Sequence, residues 1–161
     1  MYPTPASAVA PLLPHIPQGS RFIEPAAGNG QLVDFLVAGG LKCAGAWDIE
    51  PQRRDIRKAD TIQKKFPACD FLITNPPWKR EILHPMILNF SDQAPTWLLF
   101  DSDWAYTVQA KGLMERCLMI VAVGRVKWFP ESDNTGKDNA SWYLFSKGPR
   151  QLPGPILIGR R

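Results

Sequence analysis

Cysteine and histidine are scarce in this sequence, and their scarcity excludes several kinds of chemistry. The 161 residues include three cysteines, Cys43, Cys69 and Cys117, and two histidines, His15 and His84. An odd number of scattered cysteines does not make a disulfide framework, and no Cys/His spacing predicts a zinc site or an activated thiol. We therefore expect three small buried thiols in a reducing compartment and no bound metal.

Long apolar runs are also absent. No stretch approaches the roughly 18 apolar residues of a transmembrane helix, and residues 1–18 lack the basic and apolar regions of a signal peptide. The sequence therefore predicts a cytoplasmic protein without a membrane partner. A net charge of +4 permits a polyanionic partner without requiring one.

Strands and helices alternate along the chain. This order predicts one α/β domain over residues 1–161, with a doubly wound, mostly parallel sheet. The predicted strands cover 22–23, 43–47, 68–74, 96–100, 118–123 and 141–145, and the predicted helices 4–13, 31–38, 52–57, 80–90 and 108–115. The last strand is expected to pair with 126–129 in an antiparallel C-terminal hairpin. Ligands of such sheets bind at the carboxyl ends of the strands.

The first strand ends in a small-residue turn that favours close approach of a ligand. The turn reads Glu24-Pro25-Ala26-Ala27-Gly28-Asn29-Gly30 and leads into a predicted helix. Its glycines let the backbone come near a ligand, and the helix presents free N–H groups. The acid Glu24 disfavours a pyrophosphate and suits a cationic ligand, such as a sulfonium or an amino group. A tight turn without a ligand is the alternative.

The second strand ends in Asp48-Ile49-Glu50-Pro51. An acid at this point is placed to bind ribose hydroxyls, and Ile49 to pack on an adenine face. An ordinary helix N-cap by Asp48 is the alternative. Asp60, in the following loop, is a candidate acceptor for an adenine amino group.

A stiff tetrapeptide, Asn75-Pro76-Pro77-Trp78, follows the buried strand that ends at Thr74. Two prolines fix φ and remove two backbone donors, which leaves an amide, a free carbonyl and an aromatic face. These groups suit a planar amine, with two acceptors for its hydrogens and a ring for stacking. The next residues, Lys79 and Arg80, are placed for phosphate contact.

The first loop, followed by Asn-Pro-Pro-Trp, resembles the S-adenosylmethionine-dependent amino-methyltransferases, and most of all the small phage-type DNA adenine-N6 methyltransferases. The segments 124–129 and 139–145 also look like the tail of such enzymes. The resemblance implies a class I, Rossmann-like fold in which the first loop (Glu24 to Gly30) binds the cofactor's methionine part. It implies that Asp48 binds the ribose and that Asn75 contacts the cofactor as well as the target amine. The tetrapeptide (Asn75, Pro76, Pro77, Trp78) would hold the amine.

The resemblance implies direct in-line transfer of a methyl group to the N6 amine of a flipped-out adenine in DNA. RNA bases and protein glutamine are alternative substrates, although the glutamine enzymes more typically carry Tyr where this chain has Trp78. A cofactor-holding subunit that needs a partner is a further alternative. Only 26 residues lie between Asp48 and Asn75, too few for an inserted target-recognition domain. We therefore expect target recognition by loops such as 131–139, by a homodimer partner or by a separate subunit.

Overall fold

The computed structural model describes residues 3–129, 136–148 and 153–160. It contains eight strands in these ranges: β1 (Arg21–Glu24), β2 (Lys42–Asp48), β3 (Arg57–Lys58), β4 (Phe71–Thr74), β5 (Thr96–Asp101), β6 (Cys117–Arg125), β7 (Asn139–Phe145) and β8 (Ile156–Ile158). The helices are α1 (Ala6–Val9), α2 (Gln31–Ala38), α3 (Arg80–Ser91) and α4 (Lys111–Met114), with 3₁₀ helices at Leu13–His15, Ser102–Tyr106 and Val108–Ala110.

One sheet contains all eight strands in the order β3-β2-β1-β4-β5-β7-β6-β8. The strands β3, β2, β1, β4 and β5 are parallel to one another, and β7 is antiparallel to both of its neighbours. The strand order reverses between β1 and β4, which makes their carboxyl ends the topological switch point. The predicted doubly wound, mostly parallel sheet with an antiparallel C-terminal pair is confirmed.

Two predicted local structures are wrong. The antiparallel partner of β7 is β6, with Val121 opposite Trp142, and residues 126–129 form no strand. The nine-residue β6 offers a long apolar ladder that a four-residue hairpin arm cannot match. The predicted helix at 52–57 does not form: residues 52–56 make a turn and Arg57 begins β3. The segment is too short to nucleate a helix, and loop contacts such as the bond from Gln52 N to Gly28 O (2.9 Å) hold it in the turn.

Both faces of the sheet are covered, and the centre of the sheet is aromatic. Every residue of β5 from Thr96 to Phe100 is buried, as expected for a central strand packed on two sides. Phe100 stacks on Tyr143, with ring centroids 4.2 Å apart and planes 10° apart. This rigid core fixes the strand ends that carry the candidate site.

The cysteines differ from expectation in one respect. Cys117 is buried and Cys69 is half-buried, but Cys43 is exposed. Cys43 lies at the start of β2, the half of that strand that is mostly left uncovered. In the described ranges, no helix is both long enough and apolar enough to cross a membrane, and no three His, Cys, Asp or Glu side chains form a metal-binding group.

Candidate functional site

A cavity of about 160 Å³ opens at the switch point. Its walls come from the end of β1, the following turn, the start of α2 and the end of β4. The lining residues are Pro3, Thr4, Glu24, Ala26, Ala27, Asn29, Leu32, Gln52 and Asn75. The structure thus brings together the turn after β1 and the amide after β4, which the sequence assigned to a cofactor and an amine.

The turn after β1 is held in a conformation that two of its glycines make possible. Gly28 and Gly30 have φ of 52° and 77°, a region that side-chain-bearing residues rarely adopt. A Cβ on Gly30 would also lie 2.5 Å from the guanidinium carbon of Arg53. Arg53 pairs with Asp34 and Asp55 and closes over this turn from outside.

Asp48 has a structural task that the sequence did not reveal. It is 1% exposed, and its two carboxylate oxygens accept hydrogen bonds from Gly28 N and Glu50 N, both at 2.7 Å. The carboxylate therefore ties the end of β2 to the glycine turn. Both oxygens already have a partner, so binding of ribose hydroxyls would use the remaining lone pairs.

The cavity lining includes none of the three residues predicted to hold the nucleoside, Asp48, Ile49 and Asp60. Ile49 is 60% exposed, an unusual position for an isoleucine directly after a buried strand. Asp60 is exposed and accepts from Ile62 N at 3.0 Å. Its neighbour Thr61 is buried and donates to Pro25 O at 2.8 Å, which ties the loop of Asp60 to the turn after β1.

Glu24 is the most unusual ionisable group of the site. It is 2% exposed, and its Oε2 has no hydrogen-bond partner. Burial, and then repulsion by Asp48, raise the pKa of Glu24 well above its ordinary value. The Thr74 hydroxyl on the adjacent strand β4 and the backbone of Val33 partly offset this rise in the pKa, although Thr74 Oγ1, like Glu24 Oε2, makes no well-formed hydrogen bond. Buried polar atoms without partners are rare, and here a carboxylate lines a cavity that could hold a cationic group.

Asn75 is fixed on both sides of its amide. Its Nδ2 donates to Thr4 Oγ1 at 3.1 Å, and its Oδ1 accepts from Trp78 Nε1 at 3.4 Å. Pro76 is buried, whereas Pro77 is exposed. Because the second bond is long, Oδ1 keeps most of its capacity to accept another donor.

Trp78, which donates to Asn75 of this cavity, lines a second cavity of about 90 Å³. It lines that cavity with Arg80, Leu83, Phe100, Asp101 and Trp104. Trp78 is half-buried and meets Trp128 edge to face, with centroids 5.8 Å apart. Lys79 and Arg80 are exposed at the start of α3.

The segment after β5 forms an Asp-capped turn at the edge of the second cavity. Asp101 accepts from Asp103 N at 2.9 Å, so it caps a turn, and it also lines the second cavity. Trp104 is buried and donates to His84 Nε2 at 3.0 Å. Burial, and then Arg80, lower the pKa of His84.

The sequence did not indicate Pro3, Thr4, Gln52 or Leu32 as lining residues, and it indicated Asn29 only as part of the turn from Glu24 to Gly30. Thr4 was predicted to begin a helix, yet α1 begins at Ala6 without a side-chain cap. Its partner, Asn75, is 71 residues away, and no local pattern predicts a contact over that distance. Gln52 stood in a segment that resembled a helix.

The strand order and the antiparallel β7 are those of the class I, Rossmann-like methyltransferase fold. The sequence matches no protein-family model and no functionally characterised protein. Solved structures with similar folds include a dimethyladenosine transferase from Plasmodium falciparum, at 16% identity and a TM-score of 0.55. That match covers 91% of this chain and 63% of the other.

Two further structures show the range of proteins with this fold. A modification subunit assigned to a type I restriction enzyme of Vibrio vulnificus has 13% identity and a TM-score of 0.60, with 99% of this chain and 47% of the other covered. A precorrin-6y C5,15-methyltransferase from Geobacter metallireducens has 10% identity and a TM-score of 0.53, with 87% of each chain covered. This chain thus spans about half the length of the modification subunit.

Proposed function

We propose that this chain transfers a methyl group from S-adenosylmethionine to the exocyclic N6 amine of adenine in DNA. The observation that carries the proposal is one cavity lined by both the buried Glu24, whose carboxylate oxygen Oε2 has no partner, and the acceptor amide of Asn75. A cationic ligand and a neutral amine can therefore meet at this switch point. The fold and the Asn-Pro-Pro-Trp sequence support the same chemistry.

The residues around the cavity fit the cofactor. Glu24 would pair with its α-ammonium group, because a cation stabilises a buried carboxylate whose oxygen Oε2 has no partner. The turn Pro25, Ala26, Ala27, Gly28 and Gly30 would approach the methionine part through its backbone. Asp48, Ile49 and Asp60 remain the predicted contacts to ribose and adenine. Bound S-adenosylmethionine supplies an electrophilic methyl group on a sulfonium.

The tetrapeptide after β4 would hold and activate the target amine. Asn75 Oδ1 and the Pro76 carbonyl accept its two hydrogens, which draws the nitrogen toward tetrahedral geometry and frees its lone pair. Trp78 stacks on the flipped-out base and replaces part of the stacking lost from the duplex. The methylated nitrogen then releases one proton to solvent. The protein contributes position and electrostatics, so no thiol nucleophile is needed.

DNA is favoured as the substrate by three features together. Trp78 offers a large stacking face without a phenolic hydroxyl, and Lys79 and Arg80 are exposed beside the cavity that Trp78 lines. The restriction modification subunit also has this fold. Target recognition would come from loops or from a second subunit; most of the candidate loop 131–139 lies outside the described residues.

A transfer assay tests the proposal. Purified protein is incubated with tritiated S-adenosylmethionine and, separately, with DNA, RNA and bulk protein, and the modified base is then mapped. We expect label in DNA as N6-methyladenine. Label only in RNA or protein, or no transfer despite cofactor binding, would contradict the proposal.

A matched pair of variants tests the mechanism. Asn75→Ala removes an acceptor that acts on the transition state, so we expect kcat to fall about 100-fold or more. Gln109→Ala removes an exposed side-chain amide that lies outside the site and should retain full activity. An Asn75→Ala enzyme as fast as wild type would exclude the amine-holding role.

A further inference from the structure

Thr4 is buried against the candidate site although it lies near the start of the chain. It is 5% exposed and lines the same cavity as Glu24 and Asn75. Its hydroxyl accepts from Asn75 Nδ2 at 3.1 Å. The Thr4 hydroxyl therefore binds the amide of Asn75, which lies 71 residues further along the chain. It does not cap the neighbouring helix α1.

The orientation of the Asn75 amide follows from its two partners. An indole N–H can only donate, so Trp78 Nε1 requires the carbonyl oxygen Oδ1 on its side. The Nδ2 group then faces Thr4, whose hydroxyl can accept. Without Thr4, the bond to Trp78, at 3.4 Å, would be the remaining hydrogen bond of this side chain in the structure, and a bond of that length constrains little.

The position of Thr4 is itself fixed by the core. Four residues along, Ala8 is fully buried, and its carbonyl oxygen accepts from Trp142 Nε1 at 2.7 Å. Trp142 is fully buried on β7. A continuous path of packed groups therefore leads from the antiparallel strand through α1 to the amide of Asn75.

We propose that Thr4 is a positioning residue that holds the Asn75 amide with its oxygen toward the incoming amine. The role rests on the proposed function, because it matters only if Oδ1 accepts from a substrate. Preorganised acceptors lower a barrier because they need no reorientation during the reaction. Loss of Thr4 should therefore slow methyl transfer without weakening the binding of either substrate.

Two substitutions separate this role from packing. Thr4→Val keeps the shape and removes the hydroxyl, whereas Thr4→Ser keeps the hydroxyl and removes a methyl group. We expect Thr4→Val to lower kcat about 5- to 10-fold, the effect of one lost hydrogen bond. The KM for DNA and the calorimetric Kd for S-adenosylmethionine should stay within about twofold. Thr4→Ser should retain kcat within about twofold.

Three results would overturn the inference: an unchanged kcat in Thr4→Val, an equal loss in Thr4→Ser, or a loss confined to cofactor affinity. A second measurement does not depend on turnover. In ¹⁵N-labelled protein, the Asn75 side-chain amide, identified by its absence in Asn75→Ala, should exchange its protons slowly in wild type and rapidly in Thr4→Val. Equal exchange would refute the positioning role even if the enzyme methylates DNA. Altered exchange in a protein that methylates nothing would contradict the proposed function alone.

Discussion

Replacing Glu24 by glutamine should move stability and cofactor affinity in opposite directions. Glu24→Gln keeps the size of the side chain and removes a buried carboxylate that faces Asp48 and has an unpartnered oxygen. The glutamine amide is uncharged, so the substitution relieves both the cost of burying a charge and the repulsion by Asp48. We therefore expect the free energy of unfolding of the cofactor-free protein at pH 8 to rise by about 1 kcal/mol.

Cofactor affinity should fall in the same variant. A hydrogen bond to a charged partner contributes about 1.5–3 kcal/mol, so its loss corresponds to a Kd about 10- to 150-fold higher. Isothermal titration calorimetry with S-adenosylmethionine measures this change, and denaturant unfolding measures stability. Glu115→Gln is the matched control, because Glu115 is exposed and should change neither quantity.

The stability gained by Glu24→Gln should depend on pH. Burial raises the pKa of Glu24, so its favourable contribution to stability is fully present below the unfolded pKa and is lost as pH rises through the folded pKa. The stability difference between Glu24→Gln and wild type should therefore grow between pH 5 and pH 8. A variant that is less stable at pH 8 and binds the cofactor normally would refute the argument.

Three further substitutions have distinct expected outcomes. Replacing Lys79 and Arg80 together by alanine should weaken DNA binding at low salt. It should also reduce the slope of the logarithm of the binding constant against the logarithm of the salt concentration by the equivalent of about two phosphate contacts. Fluorescence anisotropy measures both, and an unchanged slope would exclude phosphate contact. Because the pKa of His84 is lowered, its contribution to stability is present above the unfolded pKa, about 6.5, and is lost as pH falls through the folded pKa. Thermal unfolding at pH 8 and 5 should show this loss in wild type and not in His84→Gln, whose amide oxygen can still accept from Trp104. Asp48→Asn should destabilise the cofactor-free protein by about 1–3 kcal/mol, because one of its two backbone donors loses its acceptor. Unchanged stability would mean that Asp48 has no structural role and only binds ribose.

Local patterns predicted what depends on local structure. The helix at Gln31–Ala38 has the predicted bounds, because apolar spacing and a glycine terminator define it within the segment itself. The strand ends that carry Glu24, Asp48 and Asn75 also followed from short apolar runs. Strand pairing over long distances could not be predicted in this way. The strand β8 and the partner of β7 depend on register between distant segments.

Hydrogen bonds across the site were equally hidden in the sequence. An acid after the second strand has the same appearance whether it binds a ribose or a backbone. Only the structure shows that Asp48 accepts from Gly28 and Glu50. The contact between Thr4 and Asn75 is also nonlocal, and a threonine before a proline looks like a helix cap. The sequence could therefore predict the kinds of groups in the site but not which of them hold the others in place.

The switch point concentrates the unsatisfied groups of the described core. Glu24 Oε2 and Thr74 Oγ1, two of its three buried side-chain atoms without a partner, end the adjacent strands β1 and β4. Adjacent strands lie about 4.8 Å apart, so groups that leave their ends can reach ligands that touch each other. Nearly all other buried side-chain polar atoms of the described residues have hydrogen-bond partners. Most of the free-energy cost of unpaired groups therefore falls where these two loops meet. That placement is expected if each loop binds one of two reacting molecules, and it explains why stability and binding should respond oppositely at Glu24.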